Sequence, residues 1–238
     1  MASNPIKTYG WTALPRDPSV ILNDTRAAKP PEPVKVENIS LPDTQLAKAV
    51  MEYAKKALSE ETFNHSMRVY YYGQAIRTQH FLDWHLSDET YLLTCLLHDI
   101  GTTDKNMSAT LMSFEFYGAL LALDLLHKEY HAPIQQAEAV TEAIIRHQDI
   151  GESGKITTLG QLIQLATIFD NMGGHSTLVH KETIEDVVKH YPRKNWSSCF
   201  AATIRKENGL KPWAHTTALG EEDFPNGVEN NKLMEPYD

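Results

Sequence analysis

Tyr91-Leu92-Leu93-Thr94-Cys95-Leu96-Leu97-His98-Asp99-Ile100-Gly101-Thr102 is the stretch on which the reading of this chain turns. The run from Tyr91 to Leu97 is apolar almost throughout, as in a helix buried on all sides. Ser87 ahead of it is a helix N-cap, and Gly101 behind it is a stop. The run delivers an imidazole and a carboxylate to the end of a buried helix. Left unpaired, each such group costs roughly 2–7 kcal/mol. A divalent ion satisfies both, because neutral imidazole and carboxylate are good ligands. By itself the pair has a second reading, a helix-end His and Asp hydrogen-bonded to the backbone.

Outward from this stretch the apolar period is helical. Ser59 caps a helix with Glu60 and Glu61 at its positive end, followed by Phe63, Met67, Tyr70, Tyr71 and Ala75, and His65 lies within it. Before it, Ser40-Leu41-Pro42-Asp43 reads as a capping-box variant with Pro42 in the first turn, leading into Leu46, Val50, Tyr53 and Leu58. Further helices are expected over 108–130, 133–147, 158–171, 182–190 and 196–207. No alternation bounded by hairpin turns predicts a strand. Pro5, Pro15, Pro18, Pro30, Pro31 and Pro33 make residues 1–40 an extended arm, pinned by Trp11, Val20, Ile21 and Leu22. The acidic, Gly/Pro-punctuated tail 220–238 reads the same way. Between them, 41–219 form the core. The fold class is all-α, an irregular helical bundle.

The 238 residues carry a formal charge of −9, from 31 acidic and 22 basic side chains, and no Lys/Arg run long enough to make a basic patch. Such a surface repels phosphate backbones, so nucleic acid is not an expected partner. No apolar stretch is long enough to span a bilayer, and the N-terminus lacks a signal-peptide layout. Cys95 and Cys199 read as buried thiols rather than a disulfide, which suits a reducing cytosol.

Asp170 ends a second apolar run, Leu162 to Phe169. A histidine (His65), a His-Asp pair (His98, Asp99) and a distant aspartate (Asp170) resemble, in order and spacing, the ligand set of the HD superfamily. In that reading these helices bring four ligands, two nitrogens and two oxygens, onto one ion. His147, after Ala143-Ile144-Ile145-Arg146, approaches the metal water or binds a second ion, or else caps its helix.

The resemblance becomes narrower when longer segments are read. Asn64-His65-Ser66-Met67-Arg68-Val69, Thr94 to Thr102, Glu142 to His147, Gly160 to Thr167, Asp170-Asn171, Lys211-Pro212-Trp213-Ala214-His215-Thr216-Thr217 and Gly10 to Pro15 resemble fungal cyanamide hydratases over nearly the whole chain. The resemblance implies a helical HD fold, one Zn2+ per subunit, a homo-oligomer, and hydration of cyanamide to urea. HD phosphodiesterases place a lysine, and HD nucleotidases a nearby glutamate, just after the His-Asp pair. Here that region offers the neutral Thr102, with Lys105 the nearest cation. A phosphate wants cationic clamps, so a small neutral substrate is expected. Asp99 or His147 is expected to relay the proton. The Thr167 hydroxyl either orients substrate or bonds back to its own helix. Asn64 supports His65, and Trp213 and His215 either close a small pocket or simply pack. A phosphohydrolase of nucleoside monophosphates and a non-catalytic HD ligand-binding module are the competing functions.

Overall fold

The computed structural model describes residues 4–23 and 29–238, so part of the expected arm, residues 1–3 and 24–28, lies outside the described residues. The chain runs through helices α1 (Pro5–Thr8), α2 (Pro18–Leu22), α3 (Gln45–Ala57), α4 (Glu60–His80), α5 (Asp88–Leu97), α6 (Asp104–Ser108), α7 (Phe114–Leu123), α8 (Ile134–Arg146), α9 (Thr158–Met172), α10 (Lys181–His190), α11 (Trp196–Leu210) and α12 (Asp223–Glu229). Strands β1 (Ala13–Pro15) and β2 (Lys155–Thr157) form a small antiparallel pair. The fold is of the all-α class, as its sequence predicts, and this short strand pair is the addition that the sequence did not announce.

Helix α4 is the axis. It is buried continuously from Asn64 to Ile76, because α3, α5, α9, α10 and α11 all pack on it. Ser59 and Ser87 cap α4 and α5 as expected, each accepting a hydrogen bond from the amide three residues on. Helix α3 starts later than the sequence suggests. Thr44, not the Ser40–Asp43 box, is its N-cap, accepting from the Ala47 N–H at 3.0 Å.

The expected helix 108–130 is broken in two. Between the two pieces, Leu111 and Met112 give their backbone carbonyls to the C-terminal segment instead: Trp213 Nε1 donates to Leu111 O at 2.8 Å and Lys211 Nζ to Met112 O at 2.7 Å. The first amide of α7, Phe114 N–H, donates to Glu207 Oε1 at 2.7 Å. Helix α7 then lies so close to the turn after Asp99 that a Cβ on Gly101 would sit 2.1 Å from Phe114 O. Only glycine permits that approach.

The two ends are folded onto the body. Pro5 and Pro18 start short helices, where a missing N–H costs nothing, and Asn4 and Asp17 cap them. β1 pairs with β2 in the register Leu14↔Ile156, a contact between segments so distant that no local alternation announces it. Trp11, Ile21 and Leu22 pack on the core, and Trp11 Nε1 donates to Gln135 O at 3.1 Å, but Val20 is exposed and anchors nothing. The tail is not extended: α12 lays Phe224 and Val228 against Trp196, Phe200 and Ile204 of α11. Cys95 is buried, whereas Cys199 is only half-buried, and both are free. No helix among the described residues is long and apolar enough to cross a membrane.

Candidate metal centre

Two helix ends and the middle of α4 meet at one point. His98 follows the last residue of α5, His147 follows the last residue of α8, and His65 projects from α4. Helix C-termini leave carbonyls without intrahelical partners. His98 Nδ1 donates to one of them, Cys95 O at 2.7 Å, and His147 Nδ1 to another, Ile144 O at 2.6 Å. His65 Nδ1 donates to Asp170 Oδ2 at 2.6 Å. With the proton fixed on Nδ1, each neutral ring carries its lone pair on Nε2.

Those lone pairs converge. The Nε2 atoms of His65 and His98 lie 3.2 Å apart. Asp99 Oδ2 is 3.3 Å from His98 Nε2 and 3.7 Å from His65 Nε2, and Oδ1 is 3.9 Å from His147 Nε2. Both Asp99 oxygens are buried and make no hydrogen bond. Imidazole nitrogens and an orphaned carboxylate facing one another fit a metal cation. His65, His98 and Asp99 offer ligand atoms all within 4.8 Å of one another. Each imidazole also gives its other N–H to a carbonyl or carboxylate, the outer support that metal-binding histidines need. Burial presses His65 down to about 4 and lowers His147 as well, so both rings are neutral at physiological pH. Burial opposes the Asp99 charge, but His98 above all holds its carboxyl well below the usual range. For His98 burial acts downward and Asp99 pulls its pKa up past the ordinary value.

Asp170 does not join this cluster. It lies on the Nδ1 side of His65, and its oxygens are committed elsewhere. Arg68 donates Nε to Oδ1 at 3.0 Å and Nη2 to Oδ2 at 2.9 Å, and Arg193 donates Nη1 to Oδ1 at 2.8 Å. Burial would raise its pKa, yet Arg68, Arg193 and His65 hold it far below the carboxylate range. The fourth ligand expected from the sequence therefore orients His65 instead. Arg193 is held in turn by Asp238 Oδ1 at 2.8 Å, so the acidic tail supports the centre from behind. The His65 ring stacks on Trp196, with centroids 4.3 Å apart. Sequence reasoning missed Arg68, Arg193 and Trp196. Arg68, one turn beyond His65 and set among Met67, Val69 and Tyr70, was the available signal; Arg193 and Trp196 had none.

The other expected residues fall into two groups. His147 and Thr167 line a cavity of about 20 Å³, closed by Ile150, Met172, Leu219 and Phe224. That is room for roughly one water-sized molecule. The Thr167 hydroxyl donates to Ile163 O at 2.9 Å, the back-bond that is one of its two readings. Asn64, Thr102, Trp213 and His215 stand apart from the cavity. Asn64 Nδ2 donates to Pro192 O at 3.0 Å and so holds the loop that carries Arg193. Thr102 Oγ1 donates to Asp99 O at 2.7 Å. Trp213 is 61% exposed and tied to Leu111 O. His215 pairs with the buried Glu115 at 2.8 Å, which lifts its pKa against burial. Lys105 is exposed.

A helical bundle that sets a histidine, a helix-end His-Asp pair and a later aspartate around one buried point has the build of an HD domain, and residues 62–172 match the HD domain family model. Over 225 residues the chain is 44% identical to each of two Saccharomyces cerevisiae proteins, Cyanamide hydratase DDI2 and Cyanamide hydratase DDI3, covering 92% of this chain and 95% of each of theirs. The chain belongs to this HD-domain cyanamide hydratase family.

Proposed function

We propose that the protein is an enzyme, a hydro-lyase that adds water across the nitrile of cyanamide to give urea. One zinc per chain is held by His65, His98, Asp99 and His147. The observation that carries this reading is the convergence of imidazole lone pairs and an unpartnered carboxylate beside a very small cavity, among whose lining residues there is no lysine or arginine. Three nitrogens and one oxygen suit zinc, and His147 takes the place that the sequence reading gave to Asp170. Arg68 and Arg193, buried behind His65, are spent on Asp170, so neither is free to clamp a phosphate.

The ion supplies the acidification of water that makes hydroxide available near pH 7, against about 15.7 for water in bulk. The reaction forms a C–O bond at the nitrile carbon, breaks one π bond of C≡N, and passes a proton from water to nitrogen. The resulting isourea tautomerises to urea. Asp99 is ionised and makes no hydrogen bond to protein, so an oxygen not engaged as a ligand takes that proton and returns it to nitrogen. Thr167 gives its only hydroxyl proton to the backbone, so its oxygen is left to accept from the amino group of cyanamide. Phe114, edge-on to His147 with centroids 5.6 Å apart, and the apolar cavity wall exclude competing water.

Purified protein incubated with cyanamide is expected to form urea, to lose that activity with a chelator, and to regain it with zinc. Nucleoside monophosphates should release no phosphate. Phosphate release without urea would hand the site to the phosphohydrolase reading, and metal binding without any turnover to the non-catalytic one.

The same reading includes a cytoplasmic homo-oligomer. Two free thiols suit a reducing compartment. Trp11 and Phe224, apolar residues of the two terminal segments, are used within the chain. Leu82, Leu111, Leu210 and Trp213 are among the exposed apolar groups open to self-association. Cell fractionation followed by light scattering on the soluble pool checks both points. A membrane-bound pool or a monomer removes the corresponding one.

A further inference from the structure

Gln148 directly follows His147, is 5% exposed, and lines the same cavity as His147 and Thr167. Its Oε1 lies 3.3 Å from Thr216 Oγ1, while its Nε2 makes no hydrogen bond to protein. Thr216 Oγ1 lies 2.9 Å from Glu207 Oε2, and Glu207 Oε1 accepts the Phe114 N–H. Thr216 and Glu207 are each 1% exposed. None of these three side chains belongs to the metal centre.

We propose that Gln148 binds the nitrile end of the substrate, and that Glu207 and Thr216 are positioning residues that turn its NH2 group toward the cavity. The proposal rests on the hydratase reading above. It follows from counting protons. A threonine hydroxyl has one proton, yet Thr216 stands between two oxygens. Both contacts are satisfied when Glu207 carries a proton: Glu207 Oε2–H donates to Thr216, Thr216 donates to Gln148 Oε1, and the amide cannot turn over. Its two N–H donors are then the polar group it can offer the cavity. The surroundings of Glu207 favour that state. Burial raises its pKa and Glu115 acts in the same direction; the Phe114 N–H, the Thr216 hydroxyl and Lys211 Nζ, 3.9 Å away, oppose them, and the net direction is upward. His215 faces Glu115 rather than Glu207.

The chemistry needs a donor at this end of the substrate. Cyanamide is linear, with N–H donors at its amino end and an acceptor at its nitrile end. The Thr167 oxygen suits the first and the Gln148 NH2 the second, so the pair fixes which way round the molecule lies. Negative charge grows on the nitrile nitrogen as water adds, and a donor aimed where charge develops acts mainly on the rate.

The test compares Gln148→Leu, Thr216→Val, Thr216→Ser and Glu207→Gln in the zinc-loaded enzyme. Gln148→Leu should keep its metal and lose about 100-fold in kcat/KM. Thr216→Val should lose about tenfold, and Thr216→Ser should restore the loss because it keeps the hydroxyl. Glu207→Gln should stay close to wild type, since its NH2 donates to Thr216 as the protonated acid does. In protein labelled with 15N at glutamine side chains, the NH2 pair missing from Gln148→Leu should shift when cyanamide is added. Wild-type kcat/KM in a metal-loaded Gln148→Leu protein would overturn the proposal, and a Glu207→Gln protein as impaired as Thr216→Val would overturn the proton arrangement. A wild-type protein that forms no urea defeats the hydratase reading. The resonance then decides alone: a shift supports binding by Gln148, and an unmoved signal overturns it.

Discussion

Replacing His98 with alanine is expected to give a folded protein that holds no metal and forms urea no faster than buffer. The ring sits at the centre of the cluster, with its Nε2 3.2 Å from that of His65 and 3.3 Å from Asp99 Oδ2. Its other nitrogen only satisfies the Cys95 carbonyl, which a water can do in its absence. The loss therefore falls on the ion more than on the fold. A ligand present at about 1,000 times its dissociation constant stabilises the native state by about 4 kcal/mol. Chelated wild type and His98→Ala should then melt at similar temperatures, both below the loaded wild type. His147→Ala should behave as a weaker copy of this variant, with metal lost more readily in dialysis, because its Nε2 is the most distant of the set at 3.9 Å from Asp99. Metal analysis and thermal melts decide. Stoichiometric metal in His98→Ala would remove the centre as drawn, and full metal retention with lost turnover in His147→Ala would return that residue to proton transfer.

The sequence showed the helical class, the caps at Ser59 and Ser87, and the His98–Asp99 pair, because each is written in a few adjacent residues. A serine before a helical run and an apolar stretch ending in ligand-type residues are local signals. What it hid is long-range. The β1–β2 pairing joins residues far apart in the chain. The interruption of 108–130 is imposed by Glu207, Lys211 and Trp213, about a hundred residues later, through hydrogen bonds that replace helical ones. Pro5 and Pro18 looked like helix breakers, yet stand where a helix accepts proline, which depends on the caps before them. Asp170 is the instructive case. The sequence correctly placed a carboxylate at the end of a buried helix near His65. It did not show that Arg193, from a loop after α10, would reach in and claim it together with Arg68.

That arrangement makes Asp170→Asn the variant with the largest expected cost to the fold. Asp170, Arg68 and Arg193 are all fully buried. One carboxylate faces two guanidiniums, with Asp238 sharing Arg193. Removing the charge leaves Arg68 without an anionic partner in the interior, a loss of about 3–5 kcal/mol. For a chain of this size, at about 2–4 °C per kcal/mol, the melting temperature should fall by roughly 6–20 °C. An asparagine also places an NH2 group against Arg68 or against the His65 Nδ1–H, so the ring is no longer held with its Nε2 toward the cluster. Loss of such an outer partner typically lowers metal affinity by about 10–100-fold. The two roles open to Asp170 separate cleanly in the chelated protein. A metal ligand contributes little to the fold once the ion is gone, so apo wild type and apo Asp170→Asn would melt together. An aspartate that neutralises buried arginines keeps its full effect without metal. Thermal melts of both proteins in excess chelator should therefore show an undiminished gap, and coincident melts would return Asp170 to the ligand set in place of His147.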